Sequence, residues 1–239
     1  MKKIVALSYN DLRNVIREPM LLFLTAGPFL LTLAIRWMLP FVAKYFESYI
    51  DLRIYYPLIA GFVLIFIPML LGMLTGFLLL DERDDNVFMT LIVTPLAKNG
   101  YIAYRILLPT VISFIYTLII LPLINIVSID FLTLLPIALL AALEAPIAAL
   151  YLVVFAGNKV EGLALSKALG IFMIAPLIGY FIDSKWKLLA GLIPFYWPVM
   201  TLVVGDYLRL DYWIYLGFGI FIHIILLILL LRRFDKKIT

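Results

Sequence analysis

Residues 57–80 read PLIAGFVLIFIPMLLGMLTGFLLL, a run of 24 residues without a charged side chain. A helix that crosses the hydrocarbon core of a bilayer needs about 20 mostly apolar residues, so this run predicts a transmembrane helix. Five more apolar stretches follow the same pattern, at 20–42, 102–125, 132–156, 163–182 and 212–231. The sequence therefore predicts an all-α membrane protein whose six transmembrane helices form a single domain over 1–239.

The composition agrees with this prediction. Hydrophobic residues make up 65% of the chain, whereas a soluble domain is about half apolar. A soluble fold of 239 residues has too little interior to bury the excess. The chain has no Cys, which excludes disulfides and thiolate metal sites. Its one His is too few for a histidine metal centre within one chain.

The distribution of basic residues predicts the orientation. With six spans both termini lie on the same side of the membrane. The opposite side then holds only six of the nineteen Lys and Arg residues, namely Arg36, Lys44, Arg53, Lys185, Lys187 and Arg209. Because cytoplasmic segments carry the excess of Lys and Arg, we expect a plasma-membrane protein with both termini in the cytoplasm.

The segment 183–211 precedes the sixth span and contains a short apolar stretch, 188–204, with Pro194 and Pro198. A seventh span here would place the basic residues 232–237 outside the cell, against the charge rule. We therefore expect 183–211 to be an external, re-entrant hairpin or a set of short helices.

Residues 3–18 have the sequence pattern of a different kind of helix. Apolar residues fall on one face and polar residues on the other, which is typical of a helix at the membrane surface. Tyr9 and Leu12 belong to the apolar face, and Arg13 and Arg17 to the polar one. The pattern predicts an interface helix, which either anchors the chain or contacts a partner.

The loop between the second and third spans begins with an acidic cluster. Residues 80–96 read LDERDDNVFMTLIVTPL, which predicts a short helix from Val87 to Val93. The acids precede this helix, where its dipole favours negative charge. One interpretation is an ordinary capped loop. The other is a docking element, because Phe88, Leu91 and Ile92 would form an exposed apolar face on a cytoplasmic segment, and such a face usually binds a partner.

This loop resembles the coupling-helix signature of type-2 ATP-binding-cassette (ABC) exporter permeases. That signature reads acidic-Arg-acidic-acidic-Gly-Thr-Leu, then a leucine-rich turn, then Thr-Pro-Leu-Ser. The matching residues are Glu82, Arg83, Asp84, Asp85, Leu91, Thr94, Pro95 and Leu96. Asn86, Val87 and Ala97 depart from it. The resemblance implies a coupling helix over 84–96.

Two other stretches are similar to this family. Arg17-Glu18-Pro19 resembles the end of its interface helix, and residues 158–167 resemble a subgroup associated with drug and antibiotic export. The resemblance implies a transport subunit, not an enzyme, that exports an amphipathic or hydrophobic substrate such as a drug, an antibiotic or a lipid-like molecule.

The resemblance also implies partners. The sequence has no Gly-x-x-x-x-Gly-Lys-Ser/Thr loop for phosphate, so ATP and Mg²⁺ would bind to a separate cytoplasmic ABC ATPase dimer and no cofactor to this chain. A second permease chain, identical or paralogous, would complete the pathway. Lipid is the remaining contact, and no nucleic acid is expected.

One acid and the single histidine lie near the middle of predicted spans. Glu144 in the fourth span is surrounded by alanines and His223 lies in the sixth. Such residues are costly in lipid and face the bundle interior or water. Glu144 is either a contact on the transport pathway or a structural hydrogen-bonding group. His223 fits a structural role better, and a contact between the two depends on whether the fold brings their spans together.

Two other functions remain as alternatives. An ion-coupled secondary transporter would use mid-membrane acids and broken helices, but the chain has one such acid and no inverted repeat. An intramembrane hydrolase built on Glu144 and His223 would need more ligands or acids than these two.

Overall fold

The computed structural model describes residues 16–17, 19–85 and 97–238. Most of the predicted interface helix 3–18 therefore lies outside the described residues, including Tyr9, Leu12 and Arg13. So does most of the predicted coupling helix 84–96, including Phe88, Leu91, Ile92, Thr94 and Pro95.

Ten α-helices occupy the described part of the chain. They are α1 (Pro19–Phe46), α2 (Tyr56–Asp84), α3 (Ala97–Ile124), α4 (Phe131–Ala142), α5 (Glu144–Phe155), α6 (Lys159–Phe172), α7 (Ala175–Phe181), α8 (Lys187–Ala190), α9 (Tyr196–Val204) and α10 (Leu210–Ile238), with a short 3-10 helix (Leu52–Tyr55) before α2.

Six helical segments of the described chain are long and apolar enough to cross a membrane. They are Leu22–Phe46, Leu52–Asp84, Ala103–Ile124, Phe131–Phe155, Lys159–Phe181 and Leu210–Lys237. The prediction of an all-α membrane protein with six spans is confirmed, and each observed span overlaps a predicted one.

The second and fourth spans form the centre of the bundle. In each, 83% of the most apolar window is buried, compared with 22–33% in the other four spans. The main packing contact of the molecule joins α2 to α5, and α1, α3, α6, α9 and α10 pack around this pair. The apolar side chains of the outer spans therefore face lipid or another chain.

Two glycines allow α2 and α5 to pack closely. A Cβ atom at Gly72 would overlap the backbone carbonyl of Ala145 and lie 2.8 Å from the Cβ of Ala148. A Cβ at Gly76 would lie 2.9 Å from Leu152. Small residues permit this backbone approach in membrane helices, and here it occurs between the two central spans.

Proline interrupts two of the spans. α4 ends at Ala142 and α6 ends at Phe172, each four residues before a proline, Pro146 or Pro176. Proline has no N–H to donate to the carbonyl four residues earlier, and its ring clashes with that carbonyl. The α-helix of the fourth span is therefore interrupted at Leu143 and that of the fifth at 173–174.

The segment before the sixth span folds as two short helices, α8 and α9. Tyr196, Trp197 and Met200 of α9 are buried against α2, α4 and α10, and the indole N–H of Trp197 donates to the carbonyl of Gly191 (2.7 Å). Gly205 ends α9 in the left-handed conformation (φ 65°), which glycine adopts most readily. The location of 183–211 outside the cell stays a prediction.

Candidate functional site

Charged side chains gather at one end of the bundle, where α2, α5 and α10 end and α3 and α6 begin. We call this the charged end, and define it by residues 81–85, 101–105, 153–161 and 232–237. It includes the acidic cluster that the sequence singled out. The side chains of this cluster reach three neighbouring helices.

Glu82 joins α2 to α3. Its carboxylate accepts hydrogen bonds from the guanidinium of Arg105 and from the hydroxyl of Tyr101. The Arg105 side chain is only 4% exposed, and it also lies over the rings of Tyr101 and Tyr104, 5.5 Å from each centroid. Burial raises the pKa of the Tyr101 hydroxyl, which keeps it a donor. Glu82 therefore neutralises a buried cation.

Asp81 and Asp84 join α2 to the start of α6. The Lys159 ammonium lies 2.9 Å from Asp81 Oδ2, and the Lys159 backbone N–H donates to Asp84 Oδ2 (3.2 Å). Asn158 caps α6 by accepting from the N–H of Glu161 (2.9 Å). Glu161 in turn accepts from the N–H of Gly157 (2.6 Å). Such reciprocal capping fixes where a helix begins.

Arg83 joins α2 to the end of α5. Its guanidinium donates to the carbonyls of Val153 (3.1 Å) and Ala156 (3.0 Å). Lys237 of α10 donates to the same two carbonyls and to that of Val154, at 2.8–3.4 Å. The last carbonyls of a helix lack intrahelical partners and carry partial negative charge, so two cations from different spans stabilise this end.

The acidic cluster, with Arg83 in it, therefore lies at the C-terminal end of α2 and connects α2 to α3, α5 and α6. Sequence analysis placed the acids just before a helix at Val87, whereas the structure puts 81–84 in the last turn of α2. A helix C-terminus disfavours negative charge, and the neighbouring cations compensate for it. Asp85 is exposed beyond the end of α2, and Arg17 is exposed in the described stretch 16–17.

The sequence alone did not mark Arg105, Lys159 and Lys237 as members of this site. Each is a basic residue near the end of a predicted span, which the charge rule explains without a specific partner. The available signal was the acidic cluster itself, because five charges in a row near the bilayer need counter-charges from neighbouring helices.

Glu144 and His223 meet in the interior of the bundle. Both are essentially inaccessible, and Glu144 Oε1 lies 3.8 Å from His223 Nε2. His223 Nδ1 lies 2.7 Å from the carbonyl of Gly219, which only accepts hydrogen bonds, so Nδ1 carries a proton. Within the described chain, Nε2 and both carboxylate oxygens have no hydrogen-bond partner. At 3.8 Å the two side chains are neighbours but do not form a hydrogen bond with each other.

Comparison with known proteins covers almost the whole chain. The family model described as Fluoroquinolones export permease protein Rv2686c-like matches residues 11–231. Two relatives, Fluoroquinolones export permease protein MT2760 and Fluoroquinolones export permease protein Rv2686c, come from Mycobacterium tuberculosis strains CDC 1551 / Oshkosh and ATCC 25618 / H37Rv. Each is 32% identical over 242 residues, which cover 99% of this chain and 95% of the relative. No solved structure matches the chain.

Proposed function

The chain belongs to the Fluoroquinolones export permease protein Rv2686c-like family, and from this premise we propose that it is the membrane-spanning subunit of an ATP-driven drug exporter. The family match over nearly the full length carries the proposal. The cargo would be an amphipathic drug of the class for which the relatives are named. Transport would move it out of the cytoplasm.

The energy for transport would come from another protein. The sequence contains no phosphate-binding loop, and residues 82–96 resemble a segment that docks on an ABC ATPase. In this proposal, Phe88, Leu91 and Ile92 contact the ATPase dimer. The interface helix 3–18 would contact it as well.

The charged end supports a mechanical role for the segment that follows α2. A displacement applied at residue 85 would act on the last turn of α2, whose side chains are tied to α3, α5 and α6. Ion pairs and hydrogen bonds of this kind resist separation better than apolar contacts between sliding helices. The four helices would therefore move together when ATP binding closes the ATPase pair.

A second permease chain fits this mechanism. Large apolar side chains of α1, α3 and α10 are more than half exposed in the single chain, for example Trp37, Leu107 and Phe218. Lipid or another copy of the chain would cover them. The proposal is a transporter with two permease chains and two ATPase chains.

Replacing Phe88 or Leu91 by Glu tests the docking role. We expect the ATPase to co-purify at least tenfold less well, because truncation or charge at a central interface residue costs more than about 1.4 kcal/mol. Drug uptake into inverted membrane vesicles should fall with it. Leu208→Glu is the matched control, because Leu208 is 77% exposed but lies at the opposite end of the bundle.

Unchanged co-purification and ATP-dependent uptake in both variants would contradict the docking role. Uptake that continues without ATP but stops when ionophores abolish ion gradients would instead favour an ion-coupled transporter. The buried Glu144–His223 pair is the observation that favours this second candidate, and Glu144→Gln should then abolish uptake.

A further inference from the structure

A cavity of about 570 Å³ lies between α5, α6 and α10, and residues 192–195 also line it. Its walls are apolar and aromatic. They include Tyr151, Phe155, Leu169, Phe172, Leu226 and Leu229. A volume of this size is within the range of about 300–1,000 Å³ that holds small organic ligands.

Three cations line one end of this cavity. They are Arg232, Arg233 and Lys236 near the end of α10, where Asp235 also lies in the sequence but does not line the cavity. The guanidinium of Arg233 lies over the ring of Phe155, 5.4 Å from its centroid, and this contact holds the cation beside the apolar wall. The cavity is therefore amphipathic, with an apolar interior and a positively charged mouth at the charged end.

The cavity is open to the surface of the single chain that faces lipid. Phe155 is 47% exposed, Leu229 53% and Leu192 69%, and the first two belong to spans. The positively charged mouth lies where the charge rule predicts the cytoplasmic leaflet. An occupant would enter sideways from that leaflet.

We propose that this cavity binds one anionic phospholipid of the cytoplasmic leaflet. An acyl chain would lie between Leu169 and Leu229, and the phosphate would contact Arg232, Arg233 and Lys236. Guanidinium groups bind phosphate through paired hydrogen bonds, and basic pockets between spans on the cytoplasmic side suit anionic headgroups. Three cationic side chains offer more hydrogen-bond donors than a single carboxylate can accept from, whereas a phosphodiester headgroup with further polar groups offers more acceptors. The site does not depend on ATP coupling.

Lipid retention by the purified chain tests the site. The detergent-solubilised protein is titrated with dioleoyl phosphatidylglycerol or dioleoyl phosphatidylcholine, which share acyl chains, and bound lipid is counted by native mass spectrometry. We expect one tightly held phosphatidylglycerol per chain. The double variant R232Q/R233Q should bind it about 25-fold more weakly, from about fivefold per cation near an anionic headgroup.

The double variant K44Q/K185Q is the control, because it removes two exposed cations that do not line the cavity and so makes the same change in net charge. It should bind phosphatidylglycerol as tightly as the unchanged chain. A preference for phosphatidylglycerol that persists in R232Q/R233Q would overturn the proposal.

Leu229→Trp tests the cavity while it leaves Arg232, Arg233 and Lys236 unchanged. This matters because basic residues near the end of a span also determine its orientation in the membrane. The larger ring should fill the space for the acyl chain and remove the tightly held lipid, while its position on the lipid-facing surface leaves the fold intact. Unchanged stoichiometry would overturn the proposal. A chain that retains no phosphatidylglycerol but binds one fluoroquinolone would also overturn it and would assign the cavity to the drug.

Discussion

Gly72→Ala should weaken the contact between the two central spans. The new methyl group would overlap the carbonyl oxygen of Ala145 and lie 2.8 Å from the Cβ of Ala148. Carbon atoms in contact prefer about 3.5–4.0 Å, so α2 and α5 would have to separate by about 1 Å and lose part of their dispersion energy. Overpacking of this kind costs about 1–3 kcal/mol.

Helix propensity acts in the opposite direction. Alanine is favoured over glycine in a helix by about 1 kcal/mol. The variant should therefore lose about 0–2 kcal/mol of unfolding free energy relative to the unchanged chain. Gly217→Ala separates the two effects, because a Cβ at Gly217 in α10 would meet nothing within 4 Å and should only gain stability.

The difference between the two variants isolates the steric cost, about 1–3 kcal/mol. Unfolding by SDS in mixed micelles, followed by the fluorescence of the four tryptophans, measures it. Equal unfolding midpoints for Gly72→Ala and Gly217→Ala would refute the inference that α2 and α5 are in contact at this glycine.

The same unfolding measurement tests three further changes. Glu82→Gln should cost about 1–3 kcal/mol, because it leaves the buried Arg105 cation without its carboxylate, whereas Asp85→Asn at an exposed position should stay within about 0.5 kcal/mol; equal losses would contradict the ion pair. Lys237→Met should cost about 0.3–1 kcal/mol by removing a cation from the end of α5, and no loss would mean that the cap is dispensable. Glu144→Lys should cost about 2.5–3.5 kcal/mol by placing a charge in the middle of the membrane, whereas Glu144→Gln should be well tolerated; a stable Lys variant would show that water reaches this position.

The spans follow directly from the sequence because lipid imposes a simple requirement. A segment such as 57–80 has no charge over the thickness of the hydrocarbon core, and only a helix satisfies its backbone there. The alanines around Glu144 and the pair Gly72 and Gly76 are small residues of the kind that permit close helix packing. The sequence alone did not show which helices pack together at these small residues. The structure shows that α2 packs against α5.

The interruptions of the fourth and fifth spans were not predictable from proline alone. Pro68 and Pro109 leave α2 and α3 continuous, whereas Pro146 and Pro176 interrupt theirs. A proline leaves the backbone carbonyl four residues earlier without its helical hydrogen bond. Whether the helix continues depends on whether neighbouring helices satisfy that carbonyl. The same holds for the charged end, where the acids of 81–84 were visible but the choice of Arg105, Lys159 and Lys237 as counter-ions depends on which helix ends meet.

The two cations at the end of α5 have a consequence for biosynthesis. Translation supplies Arg83 before the carbonyls that it binds, but Lys237 comes 84 residues after Val153. The fourth span can therefore enter the membrane with one of its counter-ions already in place, while the other emerges from the ribosome only after the remaining spans. A premature stop codon a few positions upstream of Lys237 would yield a product that keeps Arg83 at the end of α5 but lacks the second cation there.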